Sequence, residues 1–288
     1  MDARLDDEPR TRSFSLPDRG GVMAALEFGP QERPIDIVFS HANGFNARTY
    51  RTILAPLAND LRILALDLRG HGATTLPAEP QGWPGWSGFA ADLTAVLAAA
   101  AVTQPVVLAG HSLGATTSLL ATVAAPERVR NLVLFEPVMI DEAALGVPLV
   151  DLPLARTALR RRADFPDRAA AMEAYRGRGA FKTWSEAQLA DYVAAGFHET
   201  PSGQVTLACR PAWEASTFAV QNYDAPQLLD QVRRPVRIFV GGAGLGLSPQ
   251  ARARAGGRIA VETVPGATHF LPMERPGLVR QALREATL

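Results

Sequence analysis

The sequence predicts an α/β fold, in which a mostly parallel central sheet carries helices on both faces. Short, nearly continuous apolar runs alternate with longer helical stretches along the chain. Such apolar runs are typical of strands buried on both faces, and their regular alternation with helices predicts a parallel sheet. The 288 residues, 47% hydrophobic and 20% charged, have the composition of a globular protein. The predicted strands are Ile35–Phe39, Arg62–Leu66, Pro105–Ala109, Asn131–Phe135, Val236–Val240 and Ile259–Val264.

Between these strands lie stretches with the length and pattern of helices. In sheets of this kind the active groups gather outside the carboxyl ends of the strands. We therefore expect the functional residues in the loops that follow the strands. The predicted helices are Ala47–Leu57, Trp86–Ala101, Ala115–Ala125, Pro249–Ala255 and Gly277–Ala286.

The stretch 137–227 interrupts the alternation of strands and helices, because it contains helical patterns and no convincing central strand. It is too long for a connecting loop. We interpret it as an inserted, mostly helical cap over the carboxyl edge of the sheet, with residues 1–136 and 228–288 as the core. The helical patterns in the insertion are Ala155–Arg162, Asp167–Arg176 and Ser185–Gly196, and one short extended piece is Val205–Leu207.

Charge and composition limit the classes of partner. The 29 basic residues balance 29 acidic ones, so no net field favours nucleic acid or an anionic membrane. The longest apolar stretch, Ala95–Val102, is too short to span a bilayer, and no signal peptide follows Met1. Cys209 is the only cysteine, so neither an internal disulfide nor a thiolate metal site is expected. These features predict a cytoplasmic monomer or homodimer whose partner is a small molecule.

The segment Gly110-His111-Ser112-Leu113-Gly114 lies between a buried strand and a helix. A sharp turn from strand to helix lifts the serine hydroxyl clear of the backbone, and side chains two residues to either side would collide there, which explains the two glycines. The N–H of Leu113 then points from a helix N-terminus toward a developing oxyanion. Gly-x-Ser-x-Gly alone is a weak signal, but its position between strand and helix predicts Ser112 as a nucleophile.

His269 follows the last predicted strand, in the segment Gly266-Ala267-Thr268-His269. This loop lies at the carboxyl edge of the sheet, where the serine turn also points. Imidazole changes charge near neutral pH and suits proton transfer from a hydroxyl. A single histidine is more often structural, but its place in the chain order predicts His269 as the general base.

Four motifs in one chain resemble the α/β-hydrolase superfamily. They are Ser40-His-Ala-Asn-Gly-Phe45, Asp67-Leu-Arg-Gly-His-Gly72, the serine turn and the histidine loop, in family order over about 230 residues. The set is far more specific than any single motif. The resemblance implies the α/β-hydrolase fold and a serine hydrolase.

The resemblance also implies an oxyanion hole and a substrate site. The loop from His41 to Gly44 would supply its second donor, the backbone N–H of Asn43, beside the N–H of Leu113. Ala42 stands where the family usually has glycine. Aromatic residues of the cap either line an apolar pocket or pack the cap onto the core. The predicted substrate contacts are His41, His111, Phe45, Trp184, Trp213 and Phe218.

The family usually places its acid after the strand that precedes the histidine loop, but the segment Gly241–Ser248 contains no Asp or Glu. Glu136 is the alternative, because it ends the strand that follows the nucleophile strand. Pro137 disfavours helical backbone at Glu136 and predicts an extended residue. A carboxylate at this depth is costly unless it is paired or hydrogen-bonded. We therefore predict Glu136 as the third member of a triad.

Two other interpretations of the acid stay open. Glu136 could instead only cap the entry to the insertion. Asp141 and Glu142 are the fallback candidates if the strand runs further than Phe135. The chain order Ser112, Glu136, His269 agrees with the family pattern.

Together these residues predict a serine hydrolase, most simply a carboxylesterase, that acts on a small apolar ester or a related lactone, thioester or amide. No cofactor and no metal are expected, because neither a phosphate-binding loop nor a ligand cluster is present in the sequence. The same triad is compatible with C–C bond hydrolysis, cofactor-free perhydrolysis or a lyase reaction. A non-catalytic ligand receptor on the same fold is the alternative from another class.

Overall fold

The computed structural model describes residues 8–139, 152–220, 223, 225–244 and 246–288. At its centre is an eight-stranded sheet of order β1-β2-β4-β3-β5-β6-β10-β11, and a separate three-stranded sheet has the order β7-β9-β8. The strands are β1 Arg10–Leu16, β2 Gly21–Phe28, β3 Ile37–Ser40, β4 Ile63–Leu66, β5 Val106–His111, β6 Val129–Phe135, β7 Asp164–Phe165, β8 Phe197–Glu199, β9 Val205–Leu207, β10 Val236–Gly241 and β11 Ile259–Val264.

From β4 to β11 every neighbouring pair of the central sheet is parallel, and only β2 runs against the others. The predicted α/β-hydrolase fold with a mostly parallel sheet is confirmed, and all six predicted strands are present. The hairpin of β1 and β2 was not predicted.

Helices cover both faces of the central sheet. Successive strand residues point to opposite faces, so Val38 packs into one apolar cluster with α2, α3 and α8, whereas Ile37 packs into a second cluster with α1 and α11. Among the described residues, no helix combines the length and the apolar character needed to cross a bilayer. The helices are α1 Arg51–Leu54, α2 Trp86–Ala99, α3 Leu113–Ala124, α4 Pro153–Leu159, α5 Arg168–Tyr175, α6 Glu186–Ala195, α7 Pro211–Ala219, α8 Ala225–Gln231, α9 Pro249–Arg252, α10 Leu271–Glu274 and α11 Pro276–Thr287.

The helix predicted over Ala47–Leu57 is broken into three short pieces. A 3-10 turn precedes α1 and a second one, which contains Pro56, follows it. Proline removes a backbone donor and clashes with the preceding turn, so a regular helix does not continue through this segment.

We call the described residues 152–219, between β6 and β10, the cap segment. It contains α4, α5 and α6 where the helical patterns predicted them, and also α7, which was not predicted. It further contains the antiparallel sheet of β7, β9 and β8, of which only β9 was expected to be extended. The division between cap and core at residues 137 and 227 remains a prediction.

Helix α7 docks the cap segment onto the core. The indole N–H of Trp213 donates to the carbonyl of Arg69 at 3.0 Å, and the side-chain amide of Asn43 donates to the carbonyl of Glu214 at 3.1 Å. Gly70 has φ +75°, and a Cβ at this position would lie 2.2 Å from the Trp213 indole nitrogen. The cap segment is therefore seated on the loops that follow β3 and β4, at the carboxyl edge of the sheet.

The start of α3 lies unusually close to the end of β3. A Cβ on Gly114 would lie 2.1 Å from the carbonyl oxygen of Ser40, and one on Gly110 would lie 2.5 Å from the carbonyl carbon of Gly114. Because both neighbours are backbone atoms, they cannot move aside without displacing the strand or the helix.

We expect Gly114→Ala to lower the free energy of unfolding by about 1–3 kcal/mol, because the new methyl group overpacks a backbone contact. Gly277→Ala is the control: that glycine lies in α11, and a Cβ added to it would have no neighbour within 4 Å. Urea denaturation of both variants measures the difference. Equal unfolding midpoints for the two variants would contradict the packing argument.

Candidate active site

Ser112 occupies the turn between β5 and α3. Its φ is +53°, in the left-handed region that non-glycine residues rarely adopt, and 6% of its surface is exposed. Strained backbone of this kind persists where the surrounding structure determines it and is frequent at functional sites. The turn presents the Ser112 side chain at the carboxyl edge of the sheet, as the serine motif predicted.

His269 lies in the loop between β11 and α10, with its ring beside Ser112. The Nε2–Oγ distance is 3.0 Å, and on the other side Nδ1 lies 3.1 Å from Oε2 of Glu136. An ionised carboxylate only accepts hydrogen bonds, so Nδ1 carries the proton and Nε2 is left to accept from the serine hydroxyl. The three side chains thus form one hydrogen-bonded chain that can move a proton from a hydroxyl to an imidazole.

Glu136 follows β6 and is 1% exposed. Its Oε1 accepts a hydrogen bond from the N–H of Gly241, at the end of β10, and its own N–H donates to the carbonyl of Phe239. The prediction of an extended backbone at Glu136 is wrong: φ is +49° despite the following Pro137. The backbone bond and the carboxylate contacts hold the residue in this less favourable conformation.

The loop after β10 makes room for the Glu136 carboxylate. A Cβ on Gly244 would lie 2.5 Å from Oε1 of Glu136. The loop where the family resemblance places the acid therefore supplies space and a backbone donor to an acid from the neighbouring strand. The run of glycines in this loop, together with its lack of Asp and Glu, is the sequence signal that the proposed acid comes from the end of β6. The fallback residues Asp141 and Glu142 lie outside the described residues.

Two backbone N–H groups near Ser112 are available to an anion. Leu113 begins α3 and Asn43 lies in the loop after β3, and no described residue accepts a hydrogen bond from either N–H. On both sides of Asn43 the amides are used, since Gly44 donates to His71 at 3.0 Å and Ala42 donates to the Tyr50 hydroxyl at 3.2 Å. A helix N-terminus with a free amide suits a developing negative charge. The oxyanion assignment stays a prediction.

The predicted substrate contact of His41 is corrected by its environment. The ring is fully buried, with Nε2 accepting from the N–H of Leu68 at 2.9 Å and Nδ1 donating to the carbonyl of Ala42 at 2.7 Å. Both ring nitrogens are engaged with backbone, so His41 braces the loop that precedes Asn43 and offers no group to a substrate.

His111 is also buried, which corrects its predicted contact with substrate. Its Nε2 lies 2.7 Å from the carbonyl oxygen of His269, and its Nδ1 lies 2.7 Å from the Tyr50 hydroxyl. A carbonyl oxygen only accepts, so Nε2 carries the proton and Nδ1 accepts from the hydroxyl of Tyr50. That hydroxyl in turn accepts the N–H of Ala42. One hydrogen-bonded chain thus connects the loop of Asn43 with the backbone of His269.

The cap segment and Phe45, in the loop after β3, line an open cavity of about 450 Å³. Phe45 and Phe218 line it, and their contact with substrate remains a prediction. Trp184 packs edge-on against Phe45 with the ring centroids 5.1 Å apart, and its contact with substrate remains a prediction. Trp213 is 1% exposed and bonded to the core loop, so its predicted substrate contact is corrected: it anchors the cap.

Burial dominates the electrostatics of the surrounding histidines. It lowers the pKa of His71 to about 4 and that of His111 to about 3, and it lowers the pKa of His41 well below its usual value. Burial raises the pKa of Asp67 to about 6, despite two hydrogen bonds from backbone N–H groups. The three rings are therefore neutral supports at physiological pH.

A sequence model described as the alpha/beta hydrolase family matches residues 37–282. The chain therefore belongs to the α/β-hydrolase family, as its motifs predicted, and it is a hydrolase of that family. A curated relative, 2-(acetamidomethylene)succinate hydrolase of Mesorhizobium japonicum, is 24% identical over 252 residues, which is 86% of each chain.

Solved structures agree with this fold. The crystal structure of E-2-(acetamidomethylene)succinate hydrolase superposes with a TM-score of 0.80 at 23% identity, covering 96% of this chain and 98% of the other. The thioesterase domain from the curacin biosynthetic pathway superposes with a TM-score of 0.77 at 18% identity, covering 96% and 100%. At these identities the likeness shows the fold alone.

The buried histidines predict lower stability in acid. Their pKa values are lower in the folded than in the unfolded protein, so between pH 6.5 and about 4 the unfolded state binds more protons and stability falls as pH falls. The raised pKa of Asp67 acts in the opposite direction, but it is one group against three. We expect the free energy of unfolding at pH 5.5 to be lower than at pH 7.5 by on the order of 2 kcal/mol. Urea titrations at the two pH values measure it, and equal or higher stability at pH 5.5 would contradict the assignment of neutral rings.

Proposed function

We propose that this hydrolase cleaves the carboxylic ester of a small, mostly apolar substrate, or a related lactone, thioester or amide, through an acyl-enzyme on Ser112. The observation that carries the proposal is the hydrogen-bonded chain from the Ser112 hydroxyl through His269 to the Glu136 carboxylate. A nucleophile, a base and a group that orients the base in this arrangement are what acyl transfer requires.

In the proposed reaction, Oγ of Ser112 attacks the carbonyl carbon of the substrate while its proton moves to Nε2 of His269. Glu136 stabilises the imidazolium through Nδ1. The N–H groups of Leu113 and Asn43 hold the oxyanion. The imidazolium then gives its proton to the leaving alcohol or amine. Water, activated by the same histidine, attacks the acyl-enzyme and releases the acid.

We propose an ester as the bond that is cleaved, which makes the enzyme a carboxylesterase. The name of the curated relative denotes a substrate with an acetamide group, which supports the inclusion of amides. The cavity of about 450 Å³ suits a small molecule.

We expect the wild type to release p-nitrophenol from p-nitrophenyl acetate and butyrate at pH 7.5, and Ser112→Ala to release it at the background rate. Removing the nucleophile leaves only binding and the oxyanion donors, so the loss should be about 10³-fold or more. Unfolding curves of the two proteins control for folding.

A folded wild type that turns over neither ester would contradict the esterase assignment. Labelling with a fluorophosphonate probe then distinguishes two cases. A labelled Ser112 points to another bond, such as an amide or a C–C bond, whereas an unlabelled one points to a ligand receptor.

The acid has its own test. Glu136→Gln keeps the shape and an acceptor for the Gly241 N–H but removes the charge that stabilises the His269 imidazolium, so we expect kcat to fall about 10²- to 10⁴-fold. Asp141→Asn is the comparison, because Asp141 is the alternative acid in the sequence. Measured on the same esters, equal losses in the two variants would remove Glu136 as the acid of the triad.

A further inference from the structure

We propose that the cavity beneath the cap segment binds a carboxylate of the substrate, with Arg178 and Arg161 as the groups that recognise it. The inference rests on the proposed function and names the substrate class: acyl groups that carry a second, terminal carboxylate. It depends on three features of the cavity, namely its position, its charge balance and its walls.

The cavity adjoins the loop that carries Asn43. Phe45, which lies two residues after Asn43, forms one of its walls. The Arg161 guanidinium is adjacent to the same loop, because a Cβ on Gly44 would lie 3.1 Å from its Nη1. Arg161 therefore lies beside the residue that follows Asn43 in the chain, on the side from which we propose that the far end of the acyl group is held.

Arg161 is held in place by the cap. Nη2 donates to the Tyr192 hydroxyl at 2.7 Å, and Nη1 pairs with the carboxylate of Glu214. Its side chain remains 19% exposed and lines the cavity. A guanidinium has five N–H donors in a fixed plane, so it can bind a substrate carboxylate while it keeps these partners.

Arg178 gives the cavity an excess positive charge. It is exposed and lines the cavity, and no acidic side chain within the described part of the chain forms an ion pair with it. Arg176, two residues earlier, shows the contrast, since it pairs with Glu173 and Glu186 outside the cavity.

The balance of charge indicates one carboxylate rather than a neutral or a doubly charged group. Glu214 offsets Arg161, so the described lining residues leave one positive charge, that of Arg178. A single carboxylate neutralises it, whereas a phosphate of charge near −2 would leave one negative charge without a partner among these lining residues.

The remaining walls are mostly apolar, with Leu154, Phe181 and Phe218 among them. Such walls suit the methylene groups of a short acyl chain. Tyr175 also lines the cavity, and its ring packs against that of Phe181 with the centroids 4.8 Å apart.

Two esters of equal chain length test the subsite: p-nitrophenyl butyrate and the mono-p-nitrophenyl ester of succinate, which differ by the terminal carboxylate. The readout is the ratio of kcat/KM for the succinate ester to that for the butyrate ester. We expect the wild type to prefer the succinate ester, and Arg178→Gln to lower the ratio about tenfold or more, because a charge-assisted hydrogen bond is lost.

Arg176→Gln is the matched control. It removes the same charge from a position two residues before Arg178, but the Arg176 side chain does not line the cavity. It should leave the ratio unchanged. The double variant Arg161→Gln with Glu214→Gln keeps this buried pair neutral and should lower the ratio as well. A wild type that does not prefer the succinate ester, or an equal fall of the ratio in Arg176→Gln and Arg178→Gln, would overturn the proposal.

Failure of the proposed chemistry is separable from failure of the subsite. If neither ester turns over, calorimetric titration of the wild type with monomethyl succinate and with methyl butyrate shows whether the cavity binds a carboxylate. Tighter binding of the succinate ester that is lost in Arg178→Gln supports the subsite without any catalysis. Equal binding of the two esters, or none, overturns it.

Discussion

The hydrogen bond from Nε2 of His111 to the backbone carbonyl of His269 is the contact on which the geometry of the site depends. Nδ1 of the same ring accepts a hydrogen bond from the Tyr50 hydroxyl, whose oxygen in turn accepts one from the N–H of Ala42. These hydrogen bonds connect the loop after β3, the last residue of β5 and the loop after β11, and each of these places carries or adjoins one part of the proposed machinery. Because these groups are buried, an unpaired member would cost about 1–3 kcal/mol, so the three places are held in one arrangement. A buried, neutral His111 next to Ser112 is thus a positioning residue between the loop of Asn43 and His269, the proposed oxyanion donor and the proposed base.

Glu136, the proposed acid, lies at the end of β6, beside the strand after which the family resemblance places the acid. Since β6 pairs with β10, the end of either strand lies within reach of the ring of His269. Moving the carboxylate to Glu136 has two structural consequences. Glu136 adopts a left-handed φ of +49°. At the end of β10 and in the loop after it, Gly244 leaves space where a side chain would collide with the carboxylate, and Gly241 donates its N–H to it. The hydrogen bonds of the buried carboxylate offset both its desolvation and the strained backbone.

The sequence predicted the parts of the fold that a local pattern defines. Continuous apolar runs marked all six parallel strands from β3 to β11, and the glycines around Ser112 marked a turn that tolerates no Cβ. The hairpin of β1 and β2 lies outside the strand–helix alternation, and the cap strands β7 and β8 are too short to show a period. His111 and Trp213 were misassigned for another reason. A sequence shows that a polar aromatic side chain needs a partner, but whether the partner is a substrate or a backbone carbonyl far along the chain depends on tertiary contacts.

Glu214 contacts both the loop of Asn43 and the wall of the cavity, so the positions of these two parts of the structure are coupled. The backbone carbonyl of Glu214 accepts from the side chain of Asn43, while its carboxylate pairs with Arg161 on the cavity wall. The same helix places Trp213 on the carbonyl of Arg69. A displacement of α7 would therefore move the cavity wall and release the Asn43 side chain at the same time. Because Asn43 also offers the backbone N–H that we assign to the oxyanion, the docking of α7 fixes both the proposed substrate-binding wall and the proposed oxyanion donor.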